Sequence, residues 1–164
     1  MKKVIPVILL IAALLVAGFL YQRYRIAPGI KFEKLELTDL NGKPVTLQDY
    51  HGKKLFLNFF QTWCGPCMGE IPSLDNAAEI LLPDNFIFIC ISDEPLPLLN
   101  SANSRLNLQH VIILHAVKRL KELGVYTYPT NYLLNDKGCV VFEKIGEQNW
   151  AAPQVLQQLK QKAD

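Results

Sequence analysis

The chain has 164 residues, 50% of them apolar, which suits one compact domain with a small addition. Its formal charge is +2, but four of its 17 basic residues (Lys2, Lys3, Arg23 and Arg25) flank an N-terminal apolar run, leaving 13 against 15 acidic ones. That balance gives no support to nucleic-acid binding.

Lys2 and Lys3 precede an uncharged apolar run from Val4 to Tyr21, long enough to cross the roughly 30 Å hydrocarbon core of a bilayer as a helix. Residues 1–21 therefore read as a transmembrane signal anchor. A cleaved secretory signal is the alternative, since Val16-Ala17-Gly18 offers small residues to a peptidase. Against it, the run stays apolar through Phe19-Leu20-Tyr21. Flanking charge is nearly balanced, with Lys2, Lys3 and the amino terminus on one side and Arg23 and Arg25 on the other. An anchor ahead of a single domain that carries a disulfide-capable pair favours export of everything after Tyr21. The expected location is a cell membrane, single-pass, with the domain in the periplasm or on the extracytoplasmic face. Residues 22–29 read as a linker ending at Pro28-Gly29, and residues 30–164 as the folded domain.

Lys34 to Thr38 alternates as a half-exposed strand, Asn41-Gly42 is a hairpin turn, and Pro44 to Leu47 is its partner. Lys54 to Phe60 is almost continuously apolar, as a strand buried on both faces must be. A helix is expected over about Cys64–Leu82, with Ile71, Leu74, Ala78, Leu81 and Leu82 on its buried stripe and a kink at Pro72. Asn85 to Ser92 is a second buried strand, and Asp93 to Asn107, with Pro95 and Pro97, is either a helix or an irregular loop. Val111 to Leu114 reads as a short strand and Ala116 to Leu123 as a helix closed by Gly124. Thr130–Leu134 and Cys139–Ile145 are strands joined by a turn, and Ala151–Lys162 is a final helix burying Val155, Leu156 and Leu159. This order predicts an α/β fold, a central mixed sheet with helices on both faces and an N-terminal β-hairpin extension.

Between the first buried strand and its helix stands Trp63-Cys64-Gly65-Pro66-Cys67. Two cysteines spaced C-x-x-C at a helix start can close a disulfide there. The helix N-terminus lowers the pKa of the first thiol, which makes the pair a candidate reversible two-electron switch. A zinc site would need further ligands at paired spacing, whereas Cys90 and Cys139 stand alone in apolar surroundings. A purely structural bridge over so small a ring is the other alternative, though such bonds tend to be labile. His51, His110 and His115 are scattered, with no metal or catalytic spacing.

With Tyr128-Pro129-Thr130 following in order, the chain resembles the thioredoxin superfamily. More narrowly it is similar to the TlpA/ResA/CcmG-like membrane-anchored thiol-disulfide oxidoreductases. The segments that carry this are Leu37 to Val45, Gly52-Lys53, Glu70-Ile71-Pro72 and Pro129-Thr130 ahead of Leu133 to Gly138. The resemblance implies that Cys64 is the exposed nucleophile and Cys67 the buried resolving thiol of a Cys64–Cys67 redox disulfide. It implies that Trp63, Gly65, Pro66, Tyr128 and a cis Pro129 form the surface on which substrate docks. Glu70 matches an acidic position that tunes the thiols or relays a proton. On sequence alone, Trp63 also reads as a core aromatic and Glu70 as an ordinary exposed helix carboxylate.

The family's central-strand aspartate is Asn58 here, which cannot take a proton, so that work falls to Glu70 or water. The resemblance implies protein disulfides as substrates, a membrane electron donor for re-reduction, apocytochrome c as one candidate client, and no cofactor. Cys90 and Cys139 are expected to be inert small residues. Two other functions were open to the same motif. A peroxiredoxin-type peroxidase wants a threonine three residues before its cysteine, where Gln61 stands and Thr62 comes one place late. A Sco-like copper module wants C-x-x-x-C and a distant histidine.

Overall fold

The computed structural model describes residues 30–164, so the expected anchor over 1–21 and the linker over 22–29 lie outside the described residues. No helix among the described residues is long and apolar enough to cross a membrane.

The strands are β1 (Leu37–Thr38), β2 (Pro44–Val45), β3 (Lys54–Phe59), β4 (Phe86–Ser92), β5 (Val111–Ala116), β6 (Thr130–Leu134) and β7 (Val140–Ile145). Among the described residues the α-helices are α1 (Gly65–Leu81), α2 (Leu96–Leu106) and α3 (Pro153–Ala163). The strands form one seven-stranded mixed sheet in the order β2-β1-β5-β4-β3-β6-β7. β3 runs parallel to β4 and β4 to β5, while β6 lies antiparallel to β3 and β7 antiparallel to β6. Because β3 and β4 are parallel, the loops that follow them emerge side by side at one pole of the sheet.

The period of two along β3 sends Phe56 and, just past the strand, Phe60 to one core, and Leu55, Leu57 and Phe59 to another. Each of these three helices contributes to the first core, through Ile71 and Leu74, Leu99, and Val155 and Leu159. Phe56 is its hub, stacked on Phe88 at 4.8 Å and edge-on to Trp150 at 4.6 Å. On the opposite face the covering elements are short 3-10 helices. One is Leu120–Leu123, which buries Leu120 and Leu123; another is Leu47–Tyr50, whose two end residues pack against that core.

Several local expectations are corrected. Ala116 closes β5 opposite Leu37, so the helix expected over Ala116–Leu123 shrinks to the 3-10 turn Leu120–Leu123. Its apolar pair is spaced by three residues, the 3-10 period, and Gly124 at φ 98° ends it. The strand expected from Lys34 keeps only Leu37–Thr38, because Phe32–Lys34 is itself a 3-10 turn. Cys139 is exposed just ahead of β7 rather than within it. The ambiguous segment after β4 resolves as α2, which starts at Pro95 as N-cap and ends where Asn107 turns left-handed.

Candidate functional site

Cys64 is the N-cap of α1, in extended conformation, and its Sγ accepts the Cys67 backbone N–H at 3.2 Å. Gly65 opens the helix and Pro66 follows at a position where its missing N–H costs no helical bond. The helix thereby aims its unpaired amides, the positive end of its dipole, at the Cys64 sulfur. The two sulfurs are bonded to each other, with the Cα atoms 5.3 Å apart. Cys64 keeps 7% of its surface and Cys67 none. The expected exposed nucleophile is therefore mostly covered, although it is the more accessible of the pair.

Trp63 is 72% exposed, which excludes the core reading, and its ring stands edge-on to Tyr128 at 6.1 Å. The Tyr128–Pro129 bond is cis and Pro129 is buried beside half-buried Tyr128. Gly65 and Pro66 are exposed at the helix tip. Trp63 and Tyr128 thus share an aromatic rim next to the disulfide.

Glu70 is 3% exposed, so it is no ordinary surface carboxylate. Its Oε2 accepts the Trp150 indole N–H at 3.0 Å and the Gln148 backbone N–H at 3.1 Å. Its Oε1 accepts Asn58 Nδ2 at 2.7 Å. Burial pushes the carboxyl above its ordinary range, while these bonds to Trp150, Gln148 and Asn58 pull it back down. Asn58, the residue in place of the family's aspartate, also gives its amide to Asn131 Oδ1 at 2.7 Å. An open groove of about 960 Å³ runs between α1 and the loop after β7, and Glu70, Ser73, Asn76 and Gln148 line it.

The sequence reading missed three contributors. Asp93 and Glu94, just past β4, hold the loop that leads into Cys64. Glu94 accepts both the Thr62 backbone N–H at 2.6 Å and the Thr62 hydroxyl at 2.7 Å. Asp93 accepts Gln61 Nε2 at 2.5 Å and the Leu120 N–H at 2.9 Å, tying the redox loop to the 3-10 turn. The adjacency of post-β3 and post-β4 loops in a parallel pair was the signal that could have found them. Trp150 was the third, and nothing local marks it.

Cys90 lies in β4 opposite Asn58 in register, fully buried. Burial first, then the negative charges of Glu70 and Asp75, push its thiol far up, so it is a poor nucleophile. Cys139 sits in the β6–β7 turn, where its N–H bonds Asn135 Oδ1.

A two-residue-spaced disulfide at a helix N-terminus, on a thioredoxin-like sheet that also carries a cis-proline, defines a thiol-disulfide oxidoreductase. Residues 27–159 match the Redoxin family model, and the chain belongs to that family. It is 32% identical over 149 residues to the thiol-disulfide oxidoreductase ResA of Bacillus cereus, covering 87% of this chain and 86% of that protein. It is 30% identical over 152 residues to the thioredoxin-like protein YneN of Bacillus subtilis, covering 85% and 88%. Among solved structures, the exposed lipoprotein thioredoxin Etrx1 of Streptococcus pneumoniae superposes with a TM-score of 0.62 at 25% identity, over 75% of this chain and 97% of that one.

Proposed function

We propose that this oxidoreductase works as a membrane-anchored, extracytoplasmic reductant of protein disulfides. The observation that carries the chemistry is Cys64 as N-cap of α1, its sulfur accepting a helix N–H while Cys67 lies fully buried behind it. Such a sulfur is held as a thiolate in the reduced state.

In the cycle, the Cys64 thiolate attacks one sulfur of a client disulfide, and the client's other sulfur leaves as a thiolate. Cys67 then loses its proton and attacks Cys64 Sγ, which releases the client's first sulfur and forms the Cys64–Cys67 disulfide. Two electrons have passed from the pair to the client. Glu70 is the buried base for the Cys67 proton, since Asn58 cannot serve, and the groove beside it connects the carboxyl to water. The client strand docks on Trp63, Gly65, Pro66, Tyr128 and Pro129.

The N-terminal apolar run supports anchoring, and a reducing pair held outside the cytoplasm needs a membrane dithiol donor to restore it. Apocytochrome c, whose C-x-x-C-H cysteines must be reduced before haem attachment, is the proposed client class. Equilibration with a glutathione or dithiothreitol redox buffer tests the direction. A potential near that of thioredoxin, about −270 mV, is expected, whereas one near about −120 mV would reverse the assignment to an oxidant.

A further inference from the structure

The two oxygens of the Glu70 carboxylate are held in different ways. Oε2 receives the Trp150 indole and the Gln148 main chain, two N–H groups that can only donate. Oε1 meets a side-chain amide, Asn58 Nδ2, whose other hydrogen goes to Asn131 Oδ1. A half-turn of such an amide exchanges donor for acceptor with almost no change of shape. Asn58 and Asn131 are 1% and 0% exposed, and each leaves one buried atom unpartnered, Asn58 Oδ1 and Asn131 Nδ2.

We infer that Asn58 and Asn131 turn over together whenever Glu70 takes up or releases a proton at Oε1, and so act as positioning residues for that proton. This rests on the reading of Glu70 as the proton-holding group. With Glu70 ionised, Asn58 donates to it and to Asn131. A proton added at Oε1 makes that oxygen a donor facing a donor. Turning Asn58 presents Oδ1 to accept it, and turning Asn131 then supplies Nδ2–H to the same Oδ1. The second arrangement has as many hydrogen bonds as the first and again leaves one amide nitrogen and one amide oxygen unpartnered. A proton on Oε2 would instead oppose two fixed donors, so Oε1 is the site. No covalent partner changes other than the one proton.

Among the described residues, no cation is hydrogen-bonded or ion-paired to Glu70. β3 and β6 offer neutral amides and the loop after β7 offers neutral N–H groups. The titratable neighbours are Cys90 on β4, whose thiol the Glu70 charge pushes up, and Glu147 in the loop after β7, which lines the same groove as Glu70.

The test is a carbon- and nitrogen-detected NMR titration of the full chain in detergent, in its disulfide form. Asn58 and Asn131 side-chain amide signals are expected to shift with the same midpoint as the Glu70 carboxyl carbon. A Glu70 carbon that titrates while the Asn131 amide stays still overturns the paired turn. A Glu70 carbon that does not titrate at all overturns the proton-holding reading itself. Asn131→Leu gives a second measurement. An amide that serves both protonation states leaves the Glu70 midpoint unchanged when removed. An Asn131 fixed as acceptor for Asn58 Nδ2 keeps Asn58 a donor to Glu70 and stabilises only the ionised form, so its loss would raise the midpoint by about one unit, a tenfold change in proton affinity, and refute the inference.

Discussion

The helix treats the sulfurs of Cys64 and Cys67 differently, and the proposed division into attacking and resolving thiol rests on that difference. One caps the helix and keeps a sliver of surface, and the other is sealed below it. Cys64→Ser is expected to abolish reduction of insulin or a peptide disulfide. Cys67→Ser is expected to retain attack but stop there, accumulating a mixed disulfide on a non-reducing gel; free turnover in that variant would remove Cys67 from the resolving role. For Glu70 the sign of the pH effect follows from burial. Its pKa stands above the ordinary value of 4.5 in the folded chain, so the native state binds this proton more tightly than the unfolded state. Stability from that source is present at low pH and is lost as pH rises through the folded pKa. In urea titrations, the wild-type midpoint minus that of Glu70→Gln should fall across that window, and a difference that stays level would contradict it. The dithiol was legible because C-x-x-C is a local signal. The burial of Glu70 was not, because its partners Asn58 and Trp150 stand 12 and 80 residues away.

At the scale of elements, the parallel pair β3–β4 delivers two loops to one place, and the second loop braces the first. Thr62, two residues before Cys64, gives both its N–H and its hydroxyl to Glu94. Glu94→Ala leaves that part-buried amide without a partner, at a cost of about 1 kcal/mol or more. Hydrogen exchange should quicken at Thr62 while the amides of β3 keep their protection; an unchanged Thr62 amide would mean that Glu94 does not brace the loop. The strands were readable from their apolar runs, and α1 from its stripe and cap. The 3-10 turn at Leu120–Leu123 was misread because two apolar residues spaced by three fit either kind of helix. Its true length was set by Ala116 pairing with Leu37, a contact 79 residues distant in sequence and invisible in the segment itself.

Over the whole molecule, the chemistry gathers at one pole of the sheet, and a single core joins that pole to the C-terminal helix. Phe56 touches Phe88 and Trp150 in that core. Phe56→Ala is therefore expected to cost about 3–5 kcal/mol in chemical denaturation, and a loss below 1 kcal/mol would deny it the role of hub. The other cysteines give the topology its own assay. In a Cys64→Ser, Cys67→Ser chain, Cys139 is exposed and Cys90 is sealed. A membrane-impermeant maleimide should label Cys139 on intact cells if the domain lies outside the cytoplasm, and labelling only after lysis would place it inside. Fold class and pole were legible from element order, whereas the bond between α1 and the loop leading to α3 depends on Trp150, which no motif marks. That bond has an optical consequence. The chain has two tryptophans, Trp63 exposed beside the disulfide and Trp150 buried with its indole N–H on Glu70. The native emission therefore carries two separable signals without any label. The red-side component reports what approaches the sulfurs, and the blue-side component reports the charge on the carboxyl behind them.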